Sequence, residues 1–364
     1  MGLNLELEHG KRDPATDIVI EVPAVTCKIA WHIRKKERAM SDHKCKVWGI
    51  ILAGGEGKRL QSFVQSNYGT DAPKQFCTFT GTRSMLRHTI DRAEKFIKPE
   101  QLLTIVSKDH FRYVQDQLAY RPPGAVIVQP LNRETAPAIL YSLLHVYQRD
   151  PEATVCLFPS DHFVLNEQSF VEHLEFSSEF VTSNPQSIIL LGVDPQKSEG
   201  GYGWIVKGEQ ITGNGTKQVY RVSRFVEKPD RSTANQLFDK GNLWNTMIFV
   251  GKAKTLLALF KMFIPTVYQA FWKIRDVLGS SLEAQIIKEV YSKLSSVNFS
   301  YSILDKNPVG LRTVKLQGAY WNDWGDEDRI RSDIKRFCTV NVAPHVSSPF
   351  AIRSDAPVVC LETP

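Results

Sequence analysis

From position 47 onward, short apolar runs closed by glycine or a polar turn alternate with longer stretches of helical period. The first run, Val47-Trp48-Gly49-Ile50-Ile51-Leu52-Ala53, is rich in branched residues and ends in glycines, which predicts a buried strand. The same pattern predicts strands over 102–106, 125–128, 154–158 and 187–191. Helical spacing predicts helices over 84–97, 109–118, 134–147 and 168–182 between them. Strand, helix, strand at this interval implies a parallel sheet covered on both faces.

Beyond 200 the rhythm is less regular. Strands are expected over 203–206, 220–227, 246–250 and 312–316, and helices over 232–238, 253–260, 267–277, 282–294 and 327–336. The apolar and aromatic stripe from Leu256 to Trp272 reads as core or subunit contact, and so leaves room for a homo-oligomer. Residues 1–46 have no period and carry a basic cluster, Arg34, Lys35, Lys36 and Arg38, followed by Met40. This segment reads as a mobile arm, as a partner-binding strip, or as sequence ahead of a true start at Met40. The last segment, 336–364, bears Pro344, Pro349, Pro357 and Pro364 and reads as a loosely packed extension. The expected layout is an extension (1–46), a domain (47–335) with halves at about 47–200 and 201–335, and a tail.

Composition narrows the class. A chain of 364 residues with 42% apolar and 23% charged residues can bury a sizeable core, which excludes wholesale disorder. The net charge of +6 is spread along the chain. It suits a phosphate-rich ligand better than nucleic acid, where a concentrated basic stripe is expected. No apolar run reaches membrane-spanning length. None of the six cysteines forms a CxxC pair, so a structural zinc is not expected, and Cys156 reads as a small core residue. Lys11, Arg12 and Asp13 fall where a secretory signal would be apolar, which points to the cytoplasm.

Candidate chemistry begins where the first strand ends. Gly54-Gly55-Glu56-Gly57-Lys58-Arg59-Leu60 is a glycine-rich loop with two cations, suited to backbone and charge contacts with an anion. It is not a Walker A loop, because Arg59 follows Lys58 and position 52 is Leu. It is not a dinucleotide fingerprint either, because position 60 is Leu. A tight strand-to-helix turn is the bland alternative.

Together with Pro73-Lys74-Gln75, that loop resembles the signature of the sugar-1-phosphate nucleotidyltransferases. Further segments resemble the family in order. Gln129-Pro130-Leu131-Asn132-Arg133-Glu134-Thr135-Ala136-Pro137-Ala138 is similar to the base-binding segment of its mannose-1-phosphate guanylyltransferase branch. Pro159-Ser160-Asp161-His162 is similar to its metal-binding turn. Gly201-Tyr202-Gly203-Trp204-Ile205 and Phe225-Val226-Glu227-Lys228-Pro229 resemble its sugar-side motifs, and Trp244-Asn245-Thr246 and Trp321-Asn322-Asp323-Trp324-Gly325 complete the set. One departure stands out: the family's usual Trp-Asn-Ser-Gly-Met-Phe appears as Trp244-Asn245-Thr246-Met247-Ile248-Phe249, which bears on the sugar pocket.

The resemblance implies an α/β fold, a Rossmann-like mixed, mostly parallel sheet flanked by helices. It implies transfer of a nucleotidyl group from an NTP to a sugar 1-phosphate: GTP and α-D-mannose 1-phosphate, or another hexose 1-phosphate and NTP such as UTP and glucose 1-phosphate. A non-catalytic sugar-nucleotide sensor is the reading from another class. Arg59 is implied on the departing pyrophosphate, Lys74 on the triphosphate and Lys228 on the sugar phosphate. Gly54, Gly55, Gly57, Gln129 and Thr135 are implied in nucleotide binding. Gly203, Glu227 and Asn245 are implied on the sugar, with Asp161 and Asp323 holding Mg²⁺. The chemistry agrees. A phosphate monoester has its second pKa near ~6, so the attacking oxygen is ionised at neutral pH without a general base. Catalysis then reduces to positioning and charge neutralisation. His162 is expected to be structural rather than catalytic.

Overall fold

The opening apolar run folds as β1 (Val47–Ala53), buried at every position except the half-buried Leu52. The computed structural model describes residues 47–212, 217–340 and 358–360. These belong to the unit His43–Pro364. The arm at 1–46, with its basic cluster, and most of the proline-bearing tail lie outside the described residues.

β1 is flanked by β2 (Leu102–Ser107) and β4 (Thr154–Pro159), and β3 (Val126–Gln129) pairs with β2, all parallel. A strand paired on both edges and covered on both faces has no solvent side, which is why β1 reads as a continuous apolar run. Four helices connect and cover these strands: α1 (Gln61–Tyr68), α2 (Met85–Glu94), α3 (Phe111–Leu118) and α4 (Thr135–Arg149). Next come β5 (Phe163–Leu165), α5 (Glu167–Ser183) and β6 (Ile188–Val193). The second half adds β7 (Gly203–Thr212), β8 (Val219–Glu227), α6 (Arg231–Asp239), β9 (Leu243–Lys252), α7 (Ala253–Phe263), α8 (Pro265–Trp272), α9 (Glu283–Lys293) and α10 (Phe299–Ser302). It closes with β10 (Leu311–Lys315), β11 (Tyr320–Asn322) and α11 (Glu327–Phe337). In the tail, β12 (Cys338–Val340) pairs antiparallel with β13 (Val358–Cys360).

The main sheet has nine strands in the order β3-β2-β1-β4-β9-β6-β10-β8-β7. Seven point one way, and β8 and β9 run against them. The sheet is therefore mixed and mostly parallel, as expected. β9 is inserted between β4 and β6, antiparallel to both. Its first residues also pair with β7, so that β9, β6, β10, β8 and β7 close into a ring. β5 and β11 form a separate two-stranded ribbon.

The core occupies both faces of the sheet. Ile51, Cys156 and Phe158 face one cluster with Leu86, Phe170 and Trp324. Ile50, Val155 and Leu157 face the other with Leu140, Phe260 and Phe271. This is the two-residue alternation of a strand between two apolar layers. Cys156 is a free, fully buried thiol pushed up to about 12 by burial. The stripe from Leu256 to Trp272 splits into α7 and α8, and Leu256, Leu257, Phe260, Val267 and Phe271 enter the core. The helix expected over 267–277 starts earlier, with Pro265 in its first turn, and stops at Trp272. α1, β5, α10 and β11 lie outside the sequence pattern: β5, α10 and β11 have four residues or fewer, too short to display a period, and α1 (QSFVQSNY) is mostly polar. No helix among the described residues is long and apolar enough to cross a membrane.

Candidate active site

β1 hands the chain to the glycine-rich loop, and Gly57 turns it, at φ +62, into the 3-10 turn Lys58–Leu60. Gln75 pins the loop from below: its Nε2 donates to the Gly55 carbonyl at 2.6 Å and to the Ala53 carbonyl at 3.3 Å. A cleft of about 540 Å³ lies over it. Gly54, Gly55, Gly57, Arg59 and Lys74 line one side, Gln129 and Thr135 another, and Asp161 a third. The two loop cations differ. Lys58 is paired with Glu56, whose carboxyl it holds below the usual range. Arg59 is exposed, with no ion pair among the described residues, and is free to meet an anion.

On the β3 side, Gln129 is the last strand residue and is buried. Its Oε1 accepts from the Tyr291 hydroxyl at 3.1 Å. Its Nε2 lies against Gly54, where a Cβ would stand 2.4 Å away. Gly54→Ala should therefore force this amide aside and cost roughly 1–3 kcal/mol of stability, the range for overpacking. Thermal unfolding measures it, and an unchanged midpoint would show that the loop does not crowd Gln129. Thr135 opens α4, and its hydroxyl oxygen accepts from Phe299 N at 2.8 Å, leaving its own O–H as a donor.

The acidic group is built around Lys74, which is 5% exposed. Its ammonium donates to Asp161 Oδ2 at 2.9 Å, to the Trp324 carbonyl at 3.2 Å and to the Asp323 carbonyl. Those three partners use all its protons, so contact with a triphosphate needs one of them released. Burial pushes the Asp161 carboxyl up, but Lys74 and His162 together hold the group below the usual range. Asp323 is likewise lowered: the Tyr202 hydroxyl, Lys74 and Arg329 offset its burial. Its Oδ1 accepts from Tyr202 Oη at 2.6 Å, Arg329 Nη1 at 2.7 Å and Gly325 N at 3.0 Å. Arg329 is itself braced by Glu199 at 2.8 Å and Asp326 at 3.0 Å. His162 accepts from Trp321 Nε1 at 3.2 Å, and burial pushes its pKa down to about 4. It is a neutral, packed histidine at pH 7.

Asp161 and Asp323 suit a hard divalent cation. Mg²⁺ takes oxygen ligands, uses one or two carboxylates, and leaves its other positions to water and substrate phosphates. Asp323 Oδ2 accepts no hydrogen bond among the described residues, and a Cβ at Gly325 would stand 2.7 Å from it. Glycine there keeps that oxygen accessible. No group of three or more His, Cys, Asp or Glu converges among the described residues, so phosphate oxygens would have to complete any such site.

The residues expected on the sugar, Gly203, Glu227 and Asn245, form with Lys228 a neighbouring group outside the cleft lining. Gly203 faces Glu227 across the β7–β8 ladder, and Trp204 faces Trp244 beside Asn245. Burial pushes the Glu227 carboxyl up. Lys228 holds φ +45 before Pro229. Its Nζ lies 3.9 Å from Glu227 and 5.9 Å from the Tyr301 ring centre. Tyr202 joins the two groups, since its carbonyl accepts from Lys228 N at 3.1 Å while its hydroxyl reaches Asp323. Glu134, Lys228, Met247 and Trp324 all carry positive φ. Such strain costs on the order of 1–3 kcal/mol per residue and tends to collect at functional sites.

Gln75, Tyr202, Tyr291 and Arg329 orient site groups without being marked as site residues by the sequence. The first two lie inside the motifs quoted above, so adjacency was their signal. Tyr291 and Arg329 come from α9 and α11, where no motif marks them.

The profile of the nucleotidyl transferase family matches residues 48–336. The chain belongs to that family. Mannose-1-phosphate guanylyltransferase of Salmonella muenchen is 30% identical over 288 residues, 77% of this chain and 58% of that protein. Mannose-1-phosphate guanylyltransferase 2 of Escherichia coli O157:H7 is 29% identical over 276 residues, 73% and 55% respectively. Both bear the name of the branch whose motifs the sequence resembles, and the chain spans little more than half their length. A crystal structure described as mannose-1-phosphate geranyltransferase from Thermus thermophilus superposes with a TM-score of 0.65 at 25% identity, covering 79% of each chain. One described as mannose-6-phosphate isomerase from Helicobacter pylori, at 0.60 and 19% identity, covers 76% of this chain and 99% of that one and speaks to the fold alone.

Proposed function

We propose that this family member transfers a guanylyl group from GTP to α-D-mannose 1-phosphate, giving GDP-mannose and diphosphate with Mg²⁺. The observation that carries this reading is one cleft that holds the glycine loop, exposed Arg59, the Lys74–Asp161 pair and buried Gln129. In this reading residues 47–200 form the nucleotide half and 201–335 the sugar half, in a cytoplasmic enzyme.

A sugar-phosphate oxygen forms a bond to the α-phosphorus, and the bond to the β-phosphate oxygen breaks, its electrons leaving with diphosphate. Both reactants are anions, so the protein's task is to bring them together. The loop amides and Arg59 receive the β and γ phosphates and the charge that develops on them. Gln129, oriented by Tyr291, presents its amide N–H groups to the base, and Thr135 its hydroxyl. Lys228 takes the sugar phosphate, while Glu227, Gly203 and Asn245 receive the sugar. Asp161 and Asp323 would hold Mg²⁺, which would supply charge neutralisation shared by both reactants.

The test is diphosphate release over a panel of NTPs and hexose 1-phosphates. GTP should exceed UTP, CTP and dTTP in kcat/KM, because a site that hydrogen-bonds one base edge leaves buried groups unpaired with another. If UTP with glucose 1-phosphate is the best pair, the base and sugar assignment is wrong. If no pair releases diphosphate while sugar nucleotides still bind, the chain is a sensor.

A further inference from the structure

Met247 lies inside β9 with φ +60, a left-handed conformation that is costly for an L-residue and that glycine adopts freely. Its contacts show what the side chain does there. Its N–H donates to Asn245 Oδ1 at 3.2 Å, and its Sδ faces Asn245 Nδ2 at 3.9 Å and Ser300 Oγ at 3.4 Å. Both ends of the buried Asn245 amide are thus met by residue 247. Ser300 precedes Tyr301, whose ring faces the Lys228 ammonium. Met247 is half-buried: it packs against the apolar layer on one side and meets the sugar-side group through Asn245. With glycine at 247, the Asn245 amide and the Ser300 hydroxyl would face space that the thioether now fills.

We propose that Met247 is a specificity-determining residue: its side chain admits a hexose 1-phosphate bearing only hydroxyls and turns away one with an acylamino group at the ring carbon facing Asn245. The inference rests on the nucleotidyl-transfer reading above. A thioether is a weak acceptor, so a sugar hydroxyl can replace it on the Asn245 amide. An acetamido group needs the volume itself, which the methionine side chain fills between Asn245 and Ser300.

The experiment compares wild type, Met247→Gly and Met247→Ala. It measures kcat/KM for mannose 1-phosphate, N-acetylmannosamine 1-phosphate and N-acetylglucosamine 1-phosphate, with the NTP that the wild type uses best. Glycine removes both bulk and backbone strain, whereas alanine removes only bulk, so each variant checks the other if one fails to fold. The preference for the unsubstituted sugar should fall about tenfold or more in both, within the roughly 10–200-fold range of small volume changes in a pocket. An unchanged preference, with the wild type still turning over mannose 1-phosphate, overturns the proposal and leaves nucleotidyl transfer standing. No turnover by the wild type with any hexose 1-phosphate overturns both.

Discussion

Lys74→Ala is expected to lower kcat by a hundredfold or more and to destabilise the fold by about 3 kcal/mol. The ammonium is buried and donates at once to Asp161 and to two main-chain carbonyls, those of Asp323 and Trp324. Removing it leaves two carbonyls and the half-buried Asp161 carboxylate without their donor; breaking a fully buried ion pair from one side costs roughly 3–5 kcal/mol, and water reaching Asp161 puts the expected cost at the low end of that range. It also frees the turn bearing Asp323 from the turn bearing Asp161, so the two carboxylates lose their common anchor. Arginine should rescue poorly, because its planar fork does not reproduce three divergent donors around one nitrogen. Urea unfolding and diphosphate release measure the two effects. A variant that is as stable and as active as wild type would show that Lys74 ties nothing of consequence.

Asp161→Asn and Asp323→Asn should each reduce kcat by roughly a hundredfold, the scale of losing one strong electrostatic group. The double variant should be little worse than the poorer single, because residues that serve one ion fail as a unit. The structure supports a shared role: both turns are held by Lys74, and the Asp323 charge pushes the Asp161 carboxyl up. Asp323 has the sharper constraint, since Tyr202, Arg329 and Gly325 occupy its Oδ1, while its Oδ2 accepts no hydrogen bond among the described residues. Mg²⁺-dependent nucleotide binding, followed alongside turnover, separates lost cation binding from misfolding. Near-wild-type turnover in either single removes that residue from the site, and fully multiplicative losses sink the shared-ion idea.

Much of this arrangement could be read along the chain. Each parallel strand of the first half is a local apolar run, and three of the cleft groups from that half follow such a run: the glycine loop after β1, Gln129 at the end of β3, Asp161 just beyond β4. Ligand groups gather at the C-terminal ends of parallel strands because those ends open into loops at one edge of the sheet, so strand order along the sequence already points to the site. What a linear pattern cannot hold is direction and partner. β9 reads like any buried strand, yet it runs against β4 and β6, because a strand covered on both faces shows the same apolar run whichever way it points. Tyr291 and Arg329 stand 162 and 6 residues from the groups they orient, on helices whose own periods report only which face is buried. The left-handed backbone at Met247, and with it the side chain set against Asn245, follows from the strand's surroundings and not from methionine's own preference. Only packing in three dimensions could decide these features, since nothing in the local sequence sets the left-handed turn of residue 247 or brings Tyr291 to Gln129.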